Sequence, residues 1–461
     1  MANSRKSTST RAAGIEAALA AALQPLLFSQ ARLTLALSGG MDSVVLLHLL
    51  HKLARRLDFG LSCIHVNHGI SPNAPDWAGF CARLCRRYRI PLETHAVDIG
   101  PYRSEGLEAA ARRVRYQVFS RGVAADFIVL AQHQDDQAET LLLQLLRGAG
   151  VKGGAAMPLL RPQDHELQAK APAPPAILRP MLGLSRKEIA AYARANRLDW
   201  VEDESNTDTS RDRNFLRHRV LPVLEQGFPA YRITLARAAR NLAEASAVLD
   251  QLAQADARRS VRGDGIELKA MRQMGELRAK NLLRWLLQRR GVAAPESDRL
   301  QEGLRQLFEA REDATVCVRL GGAELRRYAG RAFVLPPLPQ PPTAFQREWD
   351  GSRRWSLPEL CGELNFRRSK GAGIACARVA ATALSLRLRQ GGERLRLHSK
   401  GPSRSLKNLL QEARLPPWER ERVPLLYCAG DLVAVPGLGV ASGWKAALGE
   451  YGWVASWRRC G

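Results

Sequence analysis

The stretch LTLALSGGMDS, Leu33 to Ser43, decides how the rest of the chain is read. Leu33 to Leu37 is an apolar run of strand length, and it ends abruptly in Ser38-Gly39-Gly40-Met41-Asp42-Ser43. The residues that follow are apolar at Val44, Val45, Leu47, Leu49, Leu50 and Leu53, a spacing that predicts a buried helix. A strand therefore feeds a glycine turn that opens a helix. The glycines let backbone N–H groups approach an anion, and the helix N-terminus adds unpaired donors and a positive dipole end. Ser38 and Ser43 supply hydroxyls. Asp42 would repel a phosphate by itself, but a carboxylate at this point makes sense beside a Mg²⁺ that accompanies phosphates. The loop has neither the lysine of GxxxxGK[ST] nor the spacing of GxGxxG. The plainer alternative, a strand-turn-helix junction with a serine cap, does not require the whole of SGGMDS.

Outward from this loop, strand and helix patterns alternate. Leu61 to Gly69, Leu92 to Ile99 and Asp126 to His133 read as strands. Helical patterns separate them, the last running from about Asp136 to Arg147. Repeated βα units of this length predict a parallel sheet with helices on both faces. In such sheets ligands sit beyond the carboxyl ends of the strands. The polar clusters fall there: Ser38 to Ser43, His65-Val66-Asn67-His68-Gly69, and His133-Gln134-Asp135-Asp136.

The 461 residues suggest two or three domains, and 46% hydrophobic content is ample for real cores. A formal net charge of +24 implies a polyanionic partner, nucleic acid or an acidic membrane surface. Eight cysteines are scattered without a CxxC pair, which suits a reduced, cytoplasmic chain. Cys81 and Cys85, one turn apart, read as buried packing. The first residues form a basic tail before a helix from about Ala12 to Leu27. They lack a clear cleavage site, and no stretch is apolar and long enough to span a membrane.

Pro162 to Pro175 reads as an exposed loop, and Ser185 with Glu188 as a capping box. From about Phe228 the pattern becomes largely helical, closing with strands near Val316 to Leu320 and Ala323 to Val334. The proline-dense Leu335 to Thr343 is a linker. The last part, from about Ala344, holds short strands, with a helix near Ser403 to Ala413 and two strands around a turn in Leu425 to Val440. Its lysines and arginines, with Trp418 and Trp444 among them, suit RNA contact. Surface arginines over core tryptophans would look the same. The expected division is therefore 1–227, 228–335 and 344–461: an α/β nucleotide domain, a mainly helical middle domain and a small α+β C-terminal domain.

Among the clusters, Asp136 and Glu139 are three apart and share a helix face. Together they would hold a substrate ammonium group or Mg²⁺, although one acid could simply cap the helix. Arg112 and Arg115 lie on adjacent turns, where a guanidinium would match phosphate oxygens. His65 and His68 lack a third ligand for a metal, so hydrogen bonds to nucleotide or loop fit them better.

SGGMDS resembles the loop of the PP-loop ATP pyrophosphatases. Taken with HVNHG, EAAARRVRY, HQDDQAET, RPML and the segment from Asp203 to Arg217, in that order, the chain resembles the tRNA(Ile)-lysidine synthetases over nearly its whole length. The resemblance implies ATP-dependent joining of L-lysine to C2 of the wobble cytidine of an isoleucine tRNA with a CAU anticodon. It passes through an adenylated cytidine and releases pyrophosphate and AMP. It also implies that Ser38, Gly39, Gly40, Met41, Asp42 and Ser43 hold ATP, and that Asp42 places Mg²⁺. Arg112 and His133 would lie near the phosphates and the base, and Asp136 and Glu139 would hold the lysine amine. The later domains would grip the tRNA, and a homodimer is the form family members often take. One departure is Asp212, which stands where the family pattern has an aromatic. Asp136→Asn and Glu139→Gln are expected to weaken lysine use more than ATP binding. The competing readings are a tRNA thiolase of the same superfamily, which the absent CxxC opposes, and a non-catalytic RNA-binding protein, which the intact loop opposes.

Overall fold

A computed structural model describes residues 14–120, 123–162, 174–204, 208–292, 295–311, 314–381 and 383–459. The expected N-terminal basic tail and the centre of the Pro162–Pro175 loop lie outside them. The chain divides into two compact units, Met1–Leu252 and Ala253–Gly461.

The first unit is built on a six-stranded sheet. A first helix, α1, covers residues 14–23. Then come β1 (Ala31–Ala36), α2 (Met41–Ala54), β2 (Phe59–Asn67), α3 (Ala74–Tyr88), β3 (Leu92–Ala96) and α4 (Leu107–Ser120). They are followed by β4 (Phe127–Val129), α5 (Gln134–Leu146), α6 (Val151–Gly154), β5 (Leu160–Arg161), β6 (Ala176–Leu178) and α7 (Arg186–Ala195). The strand order is β3-β2-β1-β4-β6-β5. Every neighbouring pair is parallel except β5 with β6, which is antiparallel. The expected parallel sheet is thus present, with one antiparallel edge strand.

The alternation of strand residues explains why both faces are covered. Leu33 and Leu35 of β1, Cys63 of β2, Phe127 and Val129 of β4 and Leu178 of β6 join one core, with α1, α2, α3 and α7. Ile64, Ile128 and Ile177, each adjacent to one of these along its strand, join Phe119 of α4 on the other face. Cys81 and Cys85 are buried, as their spacing suggested. The polar Thr34 is buried in β1 and pairs its hydroxyl with Ser62 Oγ at 2.8 Å. Beyond α7, α8 (Asp212–Phe215) runs through a π-helical turn (Leu216–Val220) into α9 (Leu221–Gly227), and α10 (Tyr231–Ser260) follows.

The second unit begins with helices Leu268–Met274, Glu276–Arg289 and Ser297–Glu309 packed on a five-stranded antiparallel sheet. The stretch expected as one strand, Ala323 to Val334, is a hairpin, because Ala329 and Gly330 both take positive φ and turn the chain. Ala429 and Gly430 do the same between Leu425–Cys428 and Asp431–Val435, and a third short strand, Gly439–Val440, completes that meander. The final part carries five- and four-stranded sheets, with the helix Leu406–Glu412 capped by Ser405. No helix among the described residues is long and apolar enough to cross a membrane.

Candidate active site

The order of strands reverses between β1 and β4, so the loops after these two strands open onto a crevice at the switch point. Ser38 to Ser43 follows β1, and His133 to Asp136 follows β4. Gly39 has φ +89°, and a Cβ there would sit 2.8 Å from Val201 Cγ2 and 3.3 Å from Cys81 Sγ. Only glycine fits that conformation and that space. Gly39 also accepts from the backbone N–H of Val201 at 3.0 Å. Gly40 precedes the first turn of α2. Ser38 Oγ donates to Ser43 Oγ at 3.1 Å, and Ser43 Oγ donates to the Gly40 carbonyl at 2.9 Å. The hydroxyls thus hold the loop in shape. From behind, the Leu37 carbonyl meets buried His65 Nδ1 at 2.8 Å, so His65 bonds the loop, as its position suggested.

Asp42, on the first turn of α2, faces His133, with Oδ2 3.6 Å from Nε2. Asp42 Oδ1 is buried without a partner among the described residues. His133 is 3% exposed and precedes α5 as its cap residue. Its ring lies 3.5 Å from Asp136 Oδ2 and 3.8 Å from Asp135 Oδ2. Burial opposes a charged imidazole, but Asp136, Asp42 and Asp135 outweigh it and raise the His133 pKa above its ordinary value. Burial likewise opposes ionisation of Asp42, and His133, Arg186 and Arg217 reverse that and keep its pKa low.

The two acids of α5 have separate settings. Asp136 Oδ2 accepts from the His133 N–H at 2.9 Å, which is the capping role weighed above. Its Oδ1 lies 3.3 Å from Arg213 and 3.6 Å from Arg217. Glu139 is 1% exposed, with Oε2 2.8 Å from Arg213 Nε and Oε1 2.7 Å from Arg217 Nε. Burial raises its pKa, and the two guanidiniums more than cancel that rise. Both Glu139 oxygens are therefore occupied by arginines, which differs from the expectation that this carboxylate meets the lysine amine directly. Arg213 and Arg217 belong to the segment from Asp203 to Arg217, and their i, i+4 spacing opposite the i, i+3 acids is the signal the sequence offers. Asp212 is exposed and pairs with Arg147 at 2.9 Å.

A cavity of about 410 Å³ joins these parts. Ser38, His68, Arg112, Gln132, Asp136 and Arg217 are among its lining residues. Glu139 and His133 instead line a smaller neighbouring cavity of about 250 Å³, with Arg186, His218 and Arg232. His68 accepts from Arg115 Nη2 at 3.2 Å through Nε2, because a guanidinium can only donate. Arg112 reaches Tyr116 Oη at 3.4 Å. Gln132 and Val201 were not singled out by sequence reasoning. A neutral amide at a strand end and a valine in a polar segment carry no pattern of their own.

A glycine loop opening a helix at the switch point of a parallel sheet, faced by a His-Asp cluster, defines a PP-loop nucleotide domain. Comparison with known families agrees: residues 12–224 match the PP-loop domain, 266–333 the TilS substrate binding domain, and 384–457 the TilS substrate C-terminal domain. The chain is 44% identical over 426 residues to the tRNA(Ile)-lysidine synthase of Nitrosomonas europaea, covering 92% of each. It is 42% identical to that of an Azoarcus species, covering 92% of this chain and 91% of the relative. The chain belongs to the tRNA(Ile)-lysidine synthase family. Among solved structures, the U34-tRNA thiolase NcsA of Methanococcus maripaludis aligns over 51% of this chain and 80% of its own, at 19% identity and TM-score 0.41.

Proposed function

We propose that this chain joins L-lysine to C2 of the wobble cytidine of isoleucine tRNA bearing the CAU anticodon. ATP adenylates the cytosine O2 and pyrophosphate leaves. The lysine ε-amine then attacks C2 and expels AMP. The lysidine formed pairs with adenine, so the tRNA changes from methionine to isoleucine in both codon and amino acid. The family supports this reading, and the site observation that carries it is the cavity lined by Ser38 at the head of the glycine loop, Arg112 and Asp136.

In this reading the backbone N–H groups from Gly39 to Ser43 cradle the phosphates, and Arg112 meets charge on the α-phosphate. His133 stays near the phosphates, and Asp136, Asp42 and Asp135 raise its proton affinity against the effect of burial. Mg²⁺ fits Asp42, whose Oδ1 is buried and unpartnered. Among the described residues no group of three or more His, Cys, Asp or Glu could hold a metal, so Asp42 and the phosphates of ATP would share it. When bound, Mg²⁺ neutralises phosphate charge. Asp136 lines the cavity and attracts the lysine ammonium, which must lose a proton before attack. Glu139 acts on that process through Arg213 and Arg217. Residues 228–335 and 344–461 grip the tRNA, and the net charge of +24 supports this. A cytoplasmic setting goes with these substrates. A homodimer rests on the family resemblance alone, and light scattering tests it. Sulfur transfer has less support, since no cysteine among the described residues lines the cavity.

The test is transfer of labelled lysine to a CAU-anticodon isoleucine tRNA transcript with ATP and Mg²⁺. Label on that transcript and none on methionine tRNA is the expected result. Pyrophosphate release without label would keep the adenylating core and replace the nucleophile.

A further inference from the structure

Two motifs from the sequence have no part in the reading above: the tyrosine that closes EAAARRVRY and the arginine of RPML. They meet in the fold. Arg179 is 1% exposed, the largest of the fully buried side chains. None of the ion pairs among the described residues gives it a carboxylate. Its Nη1 donates to the Pro158 carbonyl at 3.0 Å and its Nη2 to Tyr116 Oη at 3.4 Å. Its Nε donates to Oε1 of Gln132. A buried guanidinium held only by neutral acceptors is costly, and such a group calls for an explanation.

The chemistry of the pair supplies one. Arginine has donors and no acceptor, so the Gln132 atom turned towards it must be the oxygen. The amide nitrogen is then fixed on the other side. Gln132 lines the 410 Å³ cavity, its Nε2 has no acceptor among the described residues, and it is not among the buried orphaned atoms. Two N–H donors are thus offered to the cavity in an orientation that a buried charge enforces. An unconstrained glutamine would reverse its amide to suit either a donor or an acceptor. With Arg179 behind it, reversal would bring donor against donor.

We propose that Gln132, locked by Arg179, is a base-reading residue that donates from Nε2 to N3 of the wobble cytosine. This rests on the ligation reading. Cytosine N3 is an acceptor, whereas uracil N3 carries a hydrogen and would face another donor. Cytosine O2 is left free to attack the α-phosphate. The pair Arg179–Gln132 thereby separates cytosine from uracil at the position where the reaction occurs, in the manner of enzymes that read an extruded base by its pairing edge. A site built with a committed hydrogen-bonding group rejects the wrong partner because a buried polar group is left unpaired.

The experiment compares single-turnover lysine transfer to transcripts carrying cytidine or 3-deazacytidine at the wobble position. A second arm measures displacement of bound labelled cytidine transcript by a uridine transcript. Both use the full chain and its Gln132→Met and Gln132→Glu variants. Replacing N3 by C–H is expected to cost roughly tenfold in the wild type, the worth of one neutral hydrogen bond. It should cost nothing further in Gln132→Met. The uridine transcript should compete about tenfold better against Gln132→Glu, whose carboxylate accepts from uracil N3–H. An unchanged rate with 3-deazacytidine in the wild type overturns the proposal without any variant. So does an equal deaza cost in Gln132→Met, or a parallel loss of affinity for both transcripts. Failure of the wild type to transfer lysine to the cytidine transcript would instead sink the ligation reading. The displacement arm would still test whether Gln132 sorts the two bases.

Discussion

Asp42 Oδ2 and His133 Nε2 stand 3.6 Å apart, so the helix that follows the glycine loop and the helix that follows β4 face each other through a carboxylate and an imidazole. Burial lowers the imidazole pKa, but Asp136, Asp42 and Asp135 raise it past its ordinary 6.5. A raised folded-state pKa stabilises the chain below about 6.5, and that contribution is lost as pH rises through the folded value. In ligand-free, metal-free protein, His133 is expected to titrate above 6.5 by NMR. Asp42→Asn should lower its midpoint. An unmoved midpoint would show that Asp42 does not set the charge of this ring.

Glu139 holds two guanidiniums while 1% exposed. Glu139→Gln removes the one full charge among the described residues that both Arg213 and Arg217 contact at under 3 Å, and breaking such a pair costs about 3 kcal/mol. The lowered pKa of Glu139 means its stabilisation is present above about 4.5 and lost as pH falls through the folded value. Denaturant unfolding should show a gap between wild type and Glu139→Gln at pH 7 that narrows under acid conditions. Asp136→Asn should instead raise the KM for lysine with a smaller change in stability. Equal effects of the two variants on stability and KM would contradict this division.

Gly39 and Gly40 are adjacent but not equivalent. Gly39 has φ +89° and a blocked Cβ position, whereas a Cβ on Gly40 meets Ser38 Oγ at 3.6 Å, an ordinary contact. Gly39→Ala should cost about 1–3 kcal/mol in strain and abolish ATP-dependent pyrophosphate release. Gly40→Ala should leave stability nearly unchanged. Adding Val201→Ala to Gly39→Ala should recover only the steric part. Similar melting temperatures for the two alanine variants would exclude the distinction.

The charge of +24 predicts steep salt dependence of tRNA binding but not of lysine use. If about six phosphates are neutralised, affinity for tRNA should fall roughly a thousandfold between 50 and 200 mM salt. Filter binding across that range, beside the KM for lysine at saturating tRNA, checks it. A flat tRNA response would remove the electrostatic account of the basic surface.

Much of this was legible because periodicity and punctuation agree in the first unit. Leu33 to Ser43 alone announces strand, turn and helix, and the alternation at Cys63-Ile64 and Ile177-Leu178 follows from a sheet covered on both faces. The hairpin turn at Ala329-Gly330 was harder, since alanine at positive φ gives no signal comparable to Asn-Gly. In the site, the acids of α5 stood out as a cluster, while their partners Arg213 and Arg217 lie some seventy residues away. Sequence spacing shows which residues share a face, but not what a distant segment lays against it. Gln132 shows the same limit, because its role depends on which atom Arg179 occupies.

The contact of Gly39 with Val201 has a consequence for biosynthesis. The nucleotide loop is complete as a string of residues once Ser43 has been made, yet the wall against which it is shaped arrives 158 residues later, at Val201. On the ribosome, then, the loop is an unfinished part for most of the time the first unit is being translated. Nucleotide binding by a nascent chain is therefore expected only once the segment after α7 has emerged and Val201 can pack against Gly39. A chain arrested before Val201 would display every residue of the motif and bind no nucleotide.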